Sequence, residues 1–169
     1  MALGVFLLLS LTVAAEVKAP NYDFKIEQLQ DFMPGQKRAS LDQQFPGTTL
    51  QAQDLYLWKK YVITKGNYQV RVFTQFLNGK VADLFTPLPS YFSHDVFLQG
   101  LIRLLGPAEK IDRRGEDAIY FWKKDKLHHI YAAACTITCF PVYYTVIDRQ
   151  QTDLPPYQPL WDRLRQIYR

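Results

Sequence analysis

The sequence predicts an α+β fold: one curved antiparallel sheet of about six strands, built from two helix-β-β-β repeats, with the repeat helices on one face and a further helix at the C-terminus. Three observations predict it. The pentapeptide Tyr56-Leu57-Trp58-Lys59-Lys60 returns as Tyr120-Phe121-Trp122-Lys123-Lys124, identical at four of five positions, and self-similarity is the primary signature of a repeated architecture. The same order of helix-like and strand-like segments flanks both copies. Aromatic residues make up 15% of the 169 residues, with 11 Tyr, 11 Phe and 3 Trp, which suits sheets and contact surfaces better than a helical bundle. A helix-β-β-β unit cannot cover both faces of its own sheet, so two such units most simply share one.

The chain opens with Ala2 to Ala15, an apolar run centred on Leu7, Leu8, Leu9 and Leu11. It is shorter than the roughly 20 residues that span a bilayer. Its close at Val13-Ala14-Ala15, just before Glu16, predicts a secretory signal peptide over residues 1–15, although the positive n-region is supplied only by the terminal amine. The alternative is a buried first strand or helix. Residues 16–169 carry all 20 basic and 16 acidic side chains, a length that forms one globular domain and buries roughly 70% of its unfolded surface.

The first repeat is expected over residues 16–90. Pro34-Gly35-Gln36 leads into a short helix through Ala39, Leu41 and Phe45, stopped at Pro46-Gly47. Strands are predicted at Asp54 to Thr64, Tyr68 to Phe76 and Val81 to Leu88, with a turn at Lys65-Gly66-Asn67. Asn78-Gly79 between two apolar runs is the strongest short hairpin signal. The second repeat, residues 91–149, starts with an N-cap at Ser93 and a helix whose Phe97, Leu98, Leu101, Leu104 and Leu105 form one stripe, ended by Gly106-Pro107. A solvated loop from Asp112 to Asp117 precedes strands at Ala118 to Lys124, Leu127 to Thr136 and Pro141 to Ile147. Residues 150–169 are read as an extended linker, Gln150 to Gln158, and a terminal helix with Leu160, Trp161, Leu164, Ile167 and Tyr168 on one side. That helix packs on the sheet or binds a partner.

Helices that end at Phe45-Pro46-Gly47 and at Leu104-Leu105-Gly106-Pro107, each followed by an aromatic-rich strand and two more strands, resemble the BamE-like (SmpA/OmlA) outer-membrane assembly lipoprotein domain. Two such units in tandem on an exported chain resemble the architecture of the secreted β-lactamase inhibitory protein. The resemblance implies an α+β fold and a protein-binding role through an open sheet face. The chain departs from the lipoprotein branch in having no Cys after its apolar run. It departs from the inhibitor in having one pair of cysteines, in the second repeat, instead of two disulfides spread over both.

Alternation along a strand puts Tyr56, Trp58 and Lys60 on one side of the first copy and Tyr120, Trp122 and Lys124 on one side of the second. If the aliphatic sides meet the helices, these six residues form an outward aromatic patch ringed by cations, the composition of many recognition surfaces. If the faces are reversed, or the terminal helix covers the patch, Trp58 and Trp122 are core. Cys135 and Cys139 are expected to form a disulfide, because an exported chain with an even count favours one; the alternative is two unpaired thiols. Residues four apart on a continuous strand lie about 13 Å apart, beyond disulfide reach, so the bond needs a turn at Thr136-Ile137-Thr138.

His128 and His129 point to opposite strand faces, so at most one could join Cys135 in a metal or nucleophile site, and C-x3-C is not the zinc-knuckle or thiol-oxidoreductase spacing. No G-x-S-x-G, H-E-x-x-H or Gly-rich phosphate loop occurs. No catalytic residue, metal or cofactor is therefore expected. The net charge of +4 is scattered in pairs among acids, without the stripe that nucleic acid requires, and suits a weak attraction to anionic headgroups or an acidic protein. The expected function is an exported, non-catalytic protein-binding module of the bacterial cell envelope or extracellular space, periplasmic or secreted and not membrane-spanning once the signal is removed. Two alternatives are a periplasmic carrier that encloses a small ligand or lipid between sheet and terminal helix, and a Cys/His-dependent enzyme.

Overall fold

Among the described residues, eight strands pair antiparallel in one sheet of order β1-β2-β3-β4-β8-β7-β6-β5. The computed structural model describes residues 24–53, 56–65, 68–88, 94–114, 117–134, 142–152, 157–165 and 167; the expected signal peptide and the Cys135–Cys139 segment lie outside them. A 3-10 helix, Ile26–Phe32, and α1, Arg38–Gln44, precede the meander β1 (Gly47–Gln53), β2 (Tyr56–Lys65), β3 (Tyr68–Leu77) and β4 (Lys80–Pro87). Helix α2, His94–Leu105, precedes a second meander of β5 (Lys110–Arg114), β6 (Asp117–Lys124), β7 (Leu127–Ala134) and β8 (Tyr143–Asp148). Short helices α3, Arg149–Thr152, and α4, Leu160–Leu164, follow. The meanders join where β4 pairs with β8, Phe85 opposite Thr145.

The class is α+β, as the sequence predicts, but among the described residues the sheet has eight strands instead of about six. The two additional strands are the outer ones. Gly47–Gln53 carries Thr, Gln and a single Leu beside a Pro-Gly stop, and Lys110–Arg114 is mostly charged. Edge strands need little apolar alternation, because their identity comes from a neighbour's hydrogen bonds. The Asn78-Gly79 turn is where the sequence puts it, with both residues at positive φ (51° and 73°), as the two central positions of a type I′ hairpin demand. Gly106, at φ 87°, ends α2 in the left-handed conformation that glycine tolerates best.

The sheet has two differently covered faces. On the first, Leu29 and Phe32 of the 3-10 helix, Leu41 of α1, and Phe97 and Leu101 of α2 pack on Tyr61, Val72, Leu84, Trp122, Tyr131 and Tyr144. On the second, Leu160, Trp161 and Leu164 of α4 pack on Phe73, Phe85, Tyr143 and Ile147. The terminal helix is shorter than its stripe suggests: α4 has five residues, and Ile167, expected on the buried side, is 71% exposed. The linker expected to be wholly extended instead begins with the turn α3. Among the described residues no helix is long and apolar enough to cross a membrane.

Candidate functional site

The six residues read as one outward stripe do not form one surface. Trp122 packs on the first face, under α2, and is 2% exposed; Trp58 packs on the second, against the α4 cluster. The cause is the position of the shared pentapeptide within its hairpin. β2 ends at Lys65, paired with Tyr68, and β6 ends at Lys124, paired with Leu127. Trp58 thus stands seven residues before its turn and Trp122 two before its own. The difference is odd, and an odd offset moves a side chain to the opposite face.

In the second meander the motif docks a helix. Trp122 Nε1 donates to the Gly106 carbonyl at 2.8 Å and Lys124 Nζ to the Leu104 carbonyl at 3.2 Å, so two acceptors at the end of α2 are satisfied by β6. Tyr120 stacks beside Trp122, with centroids 6.1 Å apart and planes at 22°. In the first meander a different set faces α1: Lys59 Nζ lies 2.5 Å from Asp42 Oδ1, and the Tyr61 hydroxyl donates to the same oxygen at 2.7 Å. Burial opposes ionisation of Asp42, but the Lys59 and Tyr61 hydrogen bonds and the charges of Lys59 and Arg38 outweigh it and hold the carboxyl below its ordinary value. Of the expected stripe, Trp58 and Lys60 remain on the second face, and both are half-buried. Tyr56 opens β2 opposite Gln53 and Leu77.

The second face carries an apolar band across the sheet. It runs from Trp58 on β2 through Phe73 on β3, Phe85 on β4, and Tyr143 and Ile147 on β8, to Ala132 and Ile130 on β7 and Ile119 on β6. Phe121, two residues from Ile119 on β6, extends it, with Lys110 Nζ 5.8 Å above its ring. Only the middle lies under Leu160, Trp161 and Leu164. Trp58 on one flank, and Ile119, Phe121 and Ile130 on the other, are half-buried.

Beneath α4 sits a polar group that the sequence reading missed. Asp83 is fully buried on β4. Its Oδ2 accepts the Tyr157 hydroxyl in a short hydrogen bond and the Leu160 backbone N–H at 3.0 Å. Oδ1 has no hydrogen-bond partner among the described residues, and neither does Oε1 of Gln75, which stands opposite Asp83 on β3 and is 1% exposed. Burial pushes the Asp83 pKa up to about 7, against the Tyr157 and Leu160 hydrogen bonds and the Arg163 charge, which lower it, and with Asp162, which raises it. The available signal was an Asp in the run Val81 to Phe85, where every neighbour is apolar; a buried carboxyl must find donors or take a proton.

His128 and His129 do point apart. His129 is buried on the first face, and its Nδ1 shares a 2.7 Å hydrogen bond with the Tyr144 hydroxyl; burial, then the nearby Lys124 and His128 charges, lower its pKa to about 4. No group of three or more His, Cys, Asp or Glu able to hold a metal occurs among the described residues. A pocket of 480 Å³ lies at the β6–β7 turn, lined by Asp125, Lys126, Arg149 and Gln150. No protein family, curated protein or solved structure with which the chain was compared matches it.

Proposed function

We propose that this chain is an exported, non-catalytic protein-binding module of the bacterial cell envelope or extracellular space, and that it recognises its partner through the second face of the sheet. The observation that carries the reading is the apolar band whose two flanks α4 leaves half-open. Trp58 with Lys60 on one side, and Phe121 with Lys110 on the other, supply aromatic area beside cations, the residue types enriched at binding hot spots. The side chains of the motif that dock α2, Tyr120, Trp122 and Lys124, are not part of this surface.

We further propose that the two halves are copies of one BamE-like helix-plus-meander unit. The order of one α-helix and four strands in each half supports this reading. Export rests on the apolar run at the N-terminus, and mass spectrometry of the secreted chain should give a product that starts at Glu16. The Cys135–Cys139 bond remains part of the proposal: without reductant, the intact mass should be two protons below that of the dithiol.

Photo-cross-linking tests the surface. A benzoylphenylalanine at position 60 or 121, on the second face, should trap a partner in envelope extract. The same group at position 103, on the exposed side of α2, should not. Equal yields at all three positions, or adducts only at position 103, would reject the second face.

A further inference from the structure

We infer that the C-terminal strap Tyr157–Leu164 is a proton-controlled cover of the second sheet face, latched through the Asp83 carboxyl: docked firmly in mild acid and loosened as the pH rises. The strap has little structure of its own to hold it there. Its helix is five residues long, far below the length at which a helix sustains itself. What fixes it is four buried side chains, Leu160, Trp161 and Leu164 on one cluster and Tyr157 on Leu77 and Ala82, the edge-on contact of Trp161 with Tyr143 at 5.0 Å, and the Asp83 latch.

The latch is built for a carboxylic acid more than for a carboxylate. Oδ2 accepts two donors of the strap, the Tyr157 hydroxyl and the Leu160 N–H, while the Arg163 guanidinium, also on the strap, acts on the carboxyl through its charge. Oδ1 and the opposing Gln75 Oε1 are two buried acceptors with no donor among the described residues. Cross-strand partners are close enough to interact directly. A proton on Oδ1 supplies a donor toward the Gln75 oxygen, whereas an ionised carboxylate must keep its charge in a dry site, at the cost of its desolvation.

The charged and titratable groups around Asp83 come from the strap: Tyr157 and Arg163 favour the ionised form, and Asp162 opposes it. From the sheet, β3 presents Gln75 and β8 presents Ile147, both uncharged, with His128 of β7 one strand further, opposite Ile147. Burial dominates the balance and sets the docked pKa near 7. An undocked strap returns Asp83 toward the ordinary carboxylate value of about 3.9. Between these two values the docked state binds more protons than the open one, so docking strengthens as the pH falls through this window and is lost as it rises.

As regulation of partner access, the inference rests on the proposed role of the second face; the latch itself does not, and it can be read with no partner present. The test is amide hydrogen exchange at Leu160 in the full chain, with the protection factor corrected for base catalysis, from pH 5 to pH 8. Protection in the wild type should fall roughly ten- to a hundredfold across this range. Asp83→Asn, which places a permanent N–H donor toward Gln75, should hold protection constant. Tyr157→Phe removes a donor that favours the ionised form, so the fall should move to higher pH; this variant reads the same latch if Asp83→Asn does not fold. Constant protection in the wild type, a fall in Asp83→Asn equal to that of the wild type, or an equal fall at the Val72 amide of the sheet core would overturn the inference. None of these results would alter the cross-linking pattern that tests the face itself.

Discussion

Replacing Trp122 with Phe separates a residue that holds the fold from one that faces a partner. The indole is 2% exposed, stacks on Tyr120 and donates to the Gly106 carbonyl at 2.8 Å. Phe keeps most of the ring but takes the donor from that half-buried carbonyl, at about 1 kcal/mol for a lost hydrogen bond, and opens a void where the second ring was. Lys124 still reaches Leu104, so α2 keeps one of its two ties. The expected loss is about 2–4 kcal/mol in all, which for a chain of this size lowers Tm by roughly 4–16 °C. Trp58→Phe, on a half-buried indole, should cost about 1 kcal/mol or less, as expected away from the core. Urea unfolding followed by far-UV circular dichroism measures both, with unchanged m-values showing that only stability has moved. Equal losses for the two variants, or a larger loss at Trp58, would refute the reading of Trp122 as a buried tie to α2 and of Trp58 as a half-buried ring.

Two other perturbations read different parts of the packing. A Cβ at Gly47 would lie 2.4 Å from Cε1 of Tyr61, whose ring is fully buried and whose hydroxyl is tied to Asp42, so Gly47→Ala should destabilise by about 1–3 kcal/mol, the usual cost of overpacking, in the same urea assay. His129 has a folded pKa of about 4 against an ordinary 6.5, so the unfolded chain takes up the proton first and stability falls as the pH drops from 6.5 to 4. His129→Gln should flatten that limb of the stability profile, and an unchanged acid limb would show that the imidazole is not held neutral by burial.

What the sequence revealed and what it hid follow from the same physics. Periodicity and turn chemistry are local, so α2 with its Gly106 stop, the Asn78-Gly79 hairpin and the central strands were all legible. The outer strands were not, because Lys110–Arg114 and Gly47–Gln53 owe their conformation to hydrogen bonds with β6 and β2, and little to their own pattern. The shared pentapeptide misled in one respect. Sequence similarity does not carry register, and a motif displaced by an odd number of residues relative to its turn presents the same side chains to opposite faces. Asp83 could have been singled out within its apolar run, but its partners Tyr157 and Leu160 are more than seventy residues away, a pairing that only the tertiary fold makes.

The disposition of the two indoles is the point on which the surface assignment turns, and nuclear Overhauser contacts measure it directly. The Trp122 indole N–H should contact Leu105 and Gly106 at the end of α2, while the Trp58 ring should contact the Phe73, Phe85 and Leu160 cluster and no residue of α1 or α2. Contacts from both rings to helices on one side of the sheet would contradict that assignment.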